Sequence, residues 1–150
     1  MGSQYKGNEK EVLALSTWIK LARANNSVFN KIKPSMTKNG LSTSQFAVLE
    51  TLYHLGSMSQ KSIGNKLLRT SGNIVKVLDN LERDGLVSRA KNIADRRAYN
   101  ILLTDNGQEM IKSIFNNHVK CIVESFSSLT ETEQIELSRL CKKLGLGQAL

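Results

Sequence analysis

Aromatic residues make up only 5% of this 150-residue chain, so any core has to be built mainly from aliphatic side chains. Cysteine occurs twice, at Cys121 and Cys141, inside apolar helical stretches. A structural disulfide is not expected in a chain of this kind, and both thiols are expected to be buried and inert despite nearby lysines. There is one proline, Pro34, which is expected to stop the helix before it. No internal repeat or low-complexity linker interrupts the sequence. No run of eighteen apolar residues occurs, so no membrane span is expected. The start, MGSQYKGNEK, lacks the apolar stretch of a signal peptide, and its MGS is set aside. Together these absences favour a cytoplasmic protein.

Catalytic signatures are missing too. There is no glycine-rich phosphate loop, no HExxH, no CxxC and no nucleophile elbow, so an enzyme is not expected, nor a cofactor. His54 and His118 stand far apart and offer poor support for a metal site.

What the chain does have is positive charge. Its apolar fraction of 40% is enough for a packed core, and its net charge of +8 asks for an anionic partner. The charge is uneven. Residues 57–104 carry nine bases against four acids, whereas residues 105–150 carry five against six. The middle is expected to meet the anion and the C-terminal end to do something else.

Apolar periodicity and capping residues divide the chain. Residues 9–33 read as a helix with Val12, Leu15, Ile19, Ala22 and Phe29 near one face. A second helix is capped by Ser42 or Thr43 and ends at Gly56. Ser59 caps a short third helix carrying Ile63, Leu67 and Leu68, and RTSG opens a fourth that Gly85 closes. Leu86–Val87 and Ile101–Leu103 are the apolar parts of two strands flanking a polar turn. Thr104 then caps a long helix, and Thr130 with Glu133 forms the capping box of the last. Helix, turn, helix, then a two-stranded hairpin is the layout of a winged helix-turn-helix, in a mainly α (α+β) fold.

Within the fourth helix, Ile74, Leu78 and Leu81, with Val77 beside them, form a core face. Asn73, Lys76, Asn80 and Arg83 form the opposite, polar face. Its first turn, Thr70-Ser71-Gly72-Asn73, is small and hydrogen-bonding, which suits close approach to a phosphate backbone. The acids Asp79, Glu82 and Asp84 lie in the second half. Asn and Lys suit base edges in the major groove. A helix seated there brings the hairpin, with Lys91, Asp95, Arg96 and Arg97, to the adjacent minor groove. That groove attracts arginine most where A·T-rich sequence narrows it. Asp95 is expected to pair with Arg97 or another wing arginine and limit its rotamers before binding.

The hairpin resembles the wing of the MarR family of bacterial transcription regulators, with Asp95, Arg97 and then Leu103-Thr104 at the family's D-x-R…L-T spacing. NLERDGLVSR, FAVLETLYHLG and IGNKLL are similar to the family's elements, and the order of elements agrees over residues 9–146. The resemblance implies one domain over 1–150, with a winged helix-turn-helix lobe at 36–104 and dimerisation helices at 9–33 and 105–146. It implies a homodimer on a pseudo-palindromic double-stranded operator, its recognition helices about 34 Å apart. Repression is implied by analogy, and so is release by a small aromatic, phenolic or quinone effector. The residues it assigns to DNA are Ser71, Asn73, Lys76, Lys91, Asp95, Arg96 and Arg97, with Thr43, Ser59 and Gln60 at helix starts. Trp18, Phe46, Tyr53 and His54 are the candidate effector-lining residues. The competing reading is a winged-helix module that binds protein through the same surface. It would not need Lys76, Lys91, Arg96 and Arg97 on one side. A membrane-surface role would need a basic amphipathic helix that the chain lacks.

Overall fold

A computed structural model describes residues 4–67, 71–95 and 97–147. The expectations placed on Leu68, Arg69, Thr70 and Arg96, and on the side chains of Ser71 and Gly72, lie outside the described residues. The described elements run α1 Glu9–Met36, a 3-10 turn Lys38–Gly40, α2 Thr43–Leu55, β1 Met58–Ser59 and α3 Gln60–Lys66. They continue with α4 Ser71–Arg83, β2 Val87–Lys91, β3 Tyr99–Leu103, α5 Asp105–Ser125 and α6 Glu131–Leu146.

The chain divides into two compact units, residues 33–119 and residues 1–32 with 120–150. The first contains the aliphatic core. Leu41, Val48, Leu49, Leu52, Ile63, Ile74, Leu78, Leu81, Ile101, Ile111 and Ile114 are buried around Phe46. Full burial of side chains this size stabilises the fold by about 1.5–3 kcal/mol each before entropy is counted. On α4, Ile74, Leu78 and Leu81 are buried while Asn73, Lys76 and Arg83 stay exposed, as their spacing requires.

Helix ends follow the capping residues. The Ser42 hydroxyl accepts from the Gln45 amide and the Gln45 side chain accepts from the Ser42 amide, so Ser42 is the cap and Thr43 the first helical residue. Gly85 takes φ +72° after α4, and the Leu86 amide reaches back to the Leu81 carbonyl at 2.9 Å. That left-handed closure suits glycine. The wing and the first helix both depart from expectation. The two-stranded wing gains a short third strand, giving the antiparallel order β1-β3-β2, with Met58 opposite Ile101. A two-residue strand has no periodicity to recognise. Pro34 lies inside α1 instead of ending it. It stands only two residues from the helix end, and the Thr37 amide still reaches the Lys33 carbonyl at 3.1 Å. Packing of the buried Ser35 against His118 outweighs the local preference.

His118 is 2% exposed, with Nδ1 2.9 Å from Ser35 Oγ and its ring edge-on to Phe46 at 4.7 Å. Burial lowers its pKa below the ordinary 6.5, opposed by the Glu50 carboxylate. The unfolded chain therefore binds more protons between the two pKa values, so stability is complete above about pH 6.5 and is lost as pH falls toward the folded value. Melting at pH 7.5 and 5.5 should show a larger acid loss for the native chain than for His118→Gln. Equal losses would remove His118 as the cause.

In the other unit, Lys31 Nζ donates to the Glu124 carbonyl at 3.3 Å. Gln134 Nε2 donates to the carbonyls of Phe126 and Leu129. Thr130 and Glu133 form the expected capping box of α6. No residue of α6 is buried; Ile135, Leu140 and Leu144 are exposed, as are Leu13, Trp18 and Val123. Cys141, on α6, is exposed and Cys121, on α5, half-buried, rather than both being buried. No helix among the described residues is long and apolar enough to cross a membrane.

Candidate nucleic-acid interface

One face of α4 and the start of α2 meet in a shallow concavity of about 310 Å³, lined by the polar Ser42, Ser44, Asn73, Lys76 and Asn80 and the apolar Leu67, Ile74 and Val77. Lys76 and Asn73 are exposed there. Thr43 is half-buried in the same first turn of α2. Hydroxyls, carboxamides and an ammonium along a groove offer donors to phosphate oxygens and base edges, with a single cation supplying charge.

A second concavity, of about 450 Å³, separates the start of α3 from the wing. Ser59, Gln60 and Lys61 line one side, with Arg89, Asn92, Asp95, Arg97 and Tyr99 on the other. Ser59 is engaged as the α3 cap, accepting from the Ser62 amide at 3.1 Å. Gln60 is half-buried and Lys61 exposed. Lys91 is exposed at the end of β2, opposite Tyr99.

Side-chain bonds to backbone hold the wing tip. Asn92 Oδ1 accepts from the amides of Ala94 (2.9 Å) and Asp95 (3.3 Å), and the Asn92 amide donates to the Ala98 carbonyl at 3.0 Å. Asp95 Oδ1 accepts from the Arg97 amide at 3.0 Å, and its carbonyl accepts from the Ala98 amide. Asp95 thus organises the turn through the backbone of Arg97. Among the described residues, no carboxylate lies within ion-pair distance of the exposed Arg97 guanidinium, so the expected side-chain pairing with Arg97 is absent. Asx-type turns of this kind satisfy amides locally and leave the cation free.

Arg89 behaves differently from the other bases. Strand alternation puts it on the same face of β2 as buried Val87. There its guanidinium forks onto Asp79 and Glu82 of α4, and these carboxylates raise its pKa. It is therefore not one of the cations free to meet a phosphate.

The four aromatic positions are spread over different surroundings. Phe46 is fully buried in the core. Tyr53 and His54 contact each other edge-on, and His54 lies 4.6 Å from Phe115. Trp18 is exposed on α1 in the other unit. Ser44, Lys61 and Tyr99 line the two concavities without having been singled out from the sequence, and Asn92 does so beyond its place in the polar turn. Asn80 sat on the polar face of α4, and Tyr99 could have been found by its alternation along the strand.

An exposed, half-polar helix preceded by a shorter helix, and followed by a hairpin with a free arginine at its tip, is the architecture of winged-helix DNA-binding proteins. A model of the MarR family matches residues 41–99. The HTH-type transcriptional regulator YkoM of Bacillus subtilis is 38% identical, over 93% of this chain and 91% of that protein. A crystal structure of Sco3205, a MarR family regulator of Streptomyces coelicolor in complex with DNA, shares the fold with a TM-score of 0.83. That match is at 18% identity, over 97% of this chain and 92% of that one. The organohalide-sensing regulator RdhR-CbdbA1625, in its 2,4-dichlorophenol-bound form, matches with a TM-score of 0.79 at 20% identity, over 99% and 90% of the two chains. The chain belongs to the MarR family of transcription regulators.

Proposed function

We propose that the protein is a homodimeric repressor that reads a pseudo-palindromic operator in double-stranded DNA and releases it on binding a small aromatic ligand. The observation that carries the DNA reading is that exposed polar residues of α4 and an Arg97 with no carboxylate partner among the described residues belong to the same compact unit, the latter on a wing turn held through its backbone. In this reading Asn73 and Lys76 meet base edges or phosphate in the major groove, as does Ser71, and Arg97 enters the adjacent minor groove. Lys91, Arg96 and the helix starts at Thr43, Ser59 and Gln60 hold phosphates, and Asp95 orders the turn. The protein acts in the cytoplasm, where its DNA is.

Dimerisation is supported by the exposed apolar side chains of α6 and of the outer parts of α1 and α5. Ile135, Leu140, Leu144, Val123 and Leu13 are more apolar surface than an isolated chain has reason to leave in water. Sedimentation should give twice the 16.7 kDa chain mass. Selection from a random duplex pool should recover inverted half-sites centred about one helical turn apart. A monomer selecting single half-sites would contradict the dimer.

The effector reading draws on the phenol-bound structure of like fold and on Tyr53, His54 and Trp18 as accessible aromatic groups. Phe46, inside the core, could take part only if the core opened. Thermal-shift screening against phenols, salicylate-like acids and quinones should find stabilising compounds that also lower operator affinity. A screen with no stabilising compound would argue against an effector of this class.

A further inference from the structure

Arg89 is a cation on the inward face of a strand, with only 23% of its side chain exposed. A charge in that position is retained only if it is paired, and it has two partners on one neighbouring element. Asp79 and Glu82 lie one turn apart on α4, so both carboxylates stand on the flank that faces β2. The planar guanidinium can address both at once, which a single ammonium cannot do with the same geometry. Arg89 also pairs in register with Ile101 of β3, in the centre of the wing's ladder. One side chain therefore ties the middle of the wing to the recognition helix.

We propose that the Arg89–Asp79–Glu82 fork is the positioning device that fixes the wing relative to α4, and so makes A·T content in the flanking minor groove part of operator specificity. Arg89 itself touches no DNA. It holds Arg97 at a set reach from the major-groove contacts, so that a narrow, A·T-rich minor groove at that distance is favoured over a wide one. The fork also compensates two of the negative charges that α4 carries. The proposal rests on the DNA-binding reading above and assigns a role within it.

The test uses two duplexes with identical half-sites and either A·T or G·C flanks under the wing, with affinities measured by anisotropy for the full-length protein. The native chain should prefer A·T flanks by roughly tenfold, within the range for a change at one read position. Arg97→Ala should abolish that preference, which checks the wing reading independently. Two variants then break the fork from opposite sides. Arg89→Met removes the cation, and the double variant Asp79→Asn with Glu82→Gln removes the anions at exposed positions where folding is least at risk. Both should reduce the flank preference to near unity. Their affinities for the G·C-flanked duplex should move in opposite directions, lower and shallower in salt for Arg89→Met, higher and steeper for the double variant. If both variants change overall affinity but keep the tenfold preference, the fork is only charge compensation and the proposal is overturned. If the native chain and Arg97→Ala bind both duplexes alike, the wing reading fails and the positioning role falls with it.

Discussion

Replacing Arg97 with alanine is expected to weaken operator binding by about 1–3 kcal/mol, roughly five- to 150-fold, with no change in melting temperature. The guanidinium is exposed and has no carboxylate partner among the described residues, so the free protein loses no ion pair when it is removed. The turn is held by the Arg97 amide bonding to Asp95, which alanine retains. The loss should therefore appear only with DNA present, and most clearly on operators with A·T-rich flanks. Asp95→Ala should behave differently. It removes the acceptor that orders the turn, so Arg97 would search more conformations and binding should weaken by about 1 kcal/mol, the size of one side-chain ordering cost. If Arg97→Ala bound with unaltered affinity, the wing would not be a DNA contact.

The largest effect on stability is expected at Gly107. A Cβ built there would lie 2.0 Å from the Leu86 carbonyl oxygen and 2.9 Å from its carbon. The obstacle is backbone, which cannot swing aside as a flexible side chain can. Around it, the Gly107 amide donates to Thr104 Oγ1 at 3.0 Å, while that hydroxyl donates to the Gly85 carbonyl at 2.6 Å. The Thr104 amide in turn donates to the Leu86 carbonyl at 3.2 Å. The start of α5 is thus fastened to the turn that ends α4. Gly107→Ala must push these apart, at about 3 kcal/mol, the upper end for overpacking a tight contact. For a chain of this size that lowers the melting temperature by roughly 6–12 °C. Thr104→Val deletes hydrogen bonds without adding a clash and should cost less, about 1–2 kcal/mol. Calorimetric melts of the two variants check the order; a Gly107→Ala protein that melts with the native chain would refute the contact.

Much of the lobe was legible in the sequence because the signals there are local. The α4 faces follow from a 3.6-residue period, and the caps at Ser59, Thr104 and Thr130 follow from residue type and position. The wing turn was marked by Asn92 and Asp95. Contacts between elements were less visible. Counting charges placed Arg89 among the bases that attract DNA, because nothing in a linear tally shows that Asp79 and Glu82, ten and seven residues back, reach it across the helix–strand packing. Gly107 gave no signal, since its helical position needs no unusual φ and its value lies in what it lets approach. Pro34 misled because the rule about proline is local and the packing of Ser35 and His118 is not. The effector residues were read as a set from their aromatic character, yet burial separates Phe46 from the accessible Tyr53 and His54.

If the polar face of α4 and the wing together read a DNA sequence, the protein must distinguish its operator from unrelated DNA. Fluorescence anisotropy on a duplex from upstream of the protein's own gene, against scrambled DNA across a salt series, tests it most directly. Binding at least about a thousandfold tighter than to scrambled DNA is expected, with affinity falling steeply as salt rises. Equal, weak binding to both duplexes, and to selected ones as well, would mean that the net charge of +8 gives only generic attraction and would contradict it.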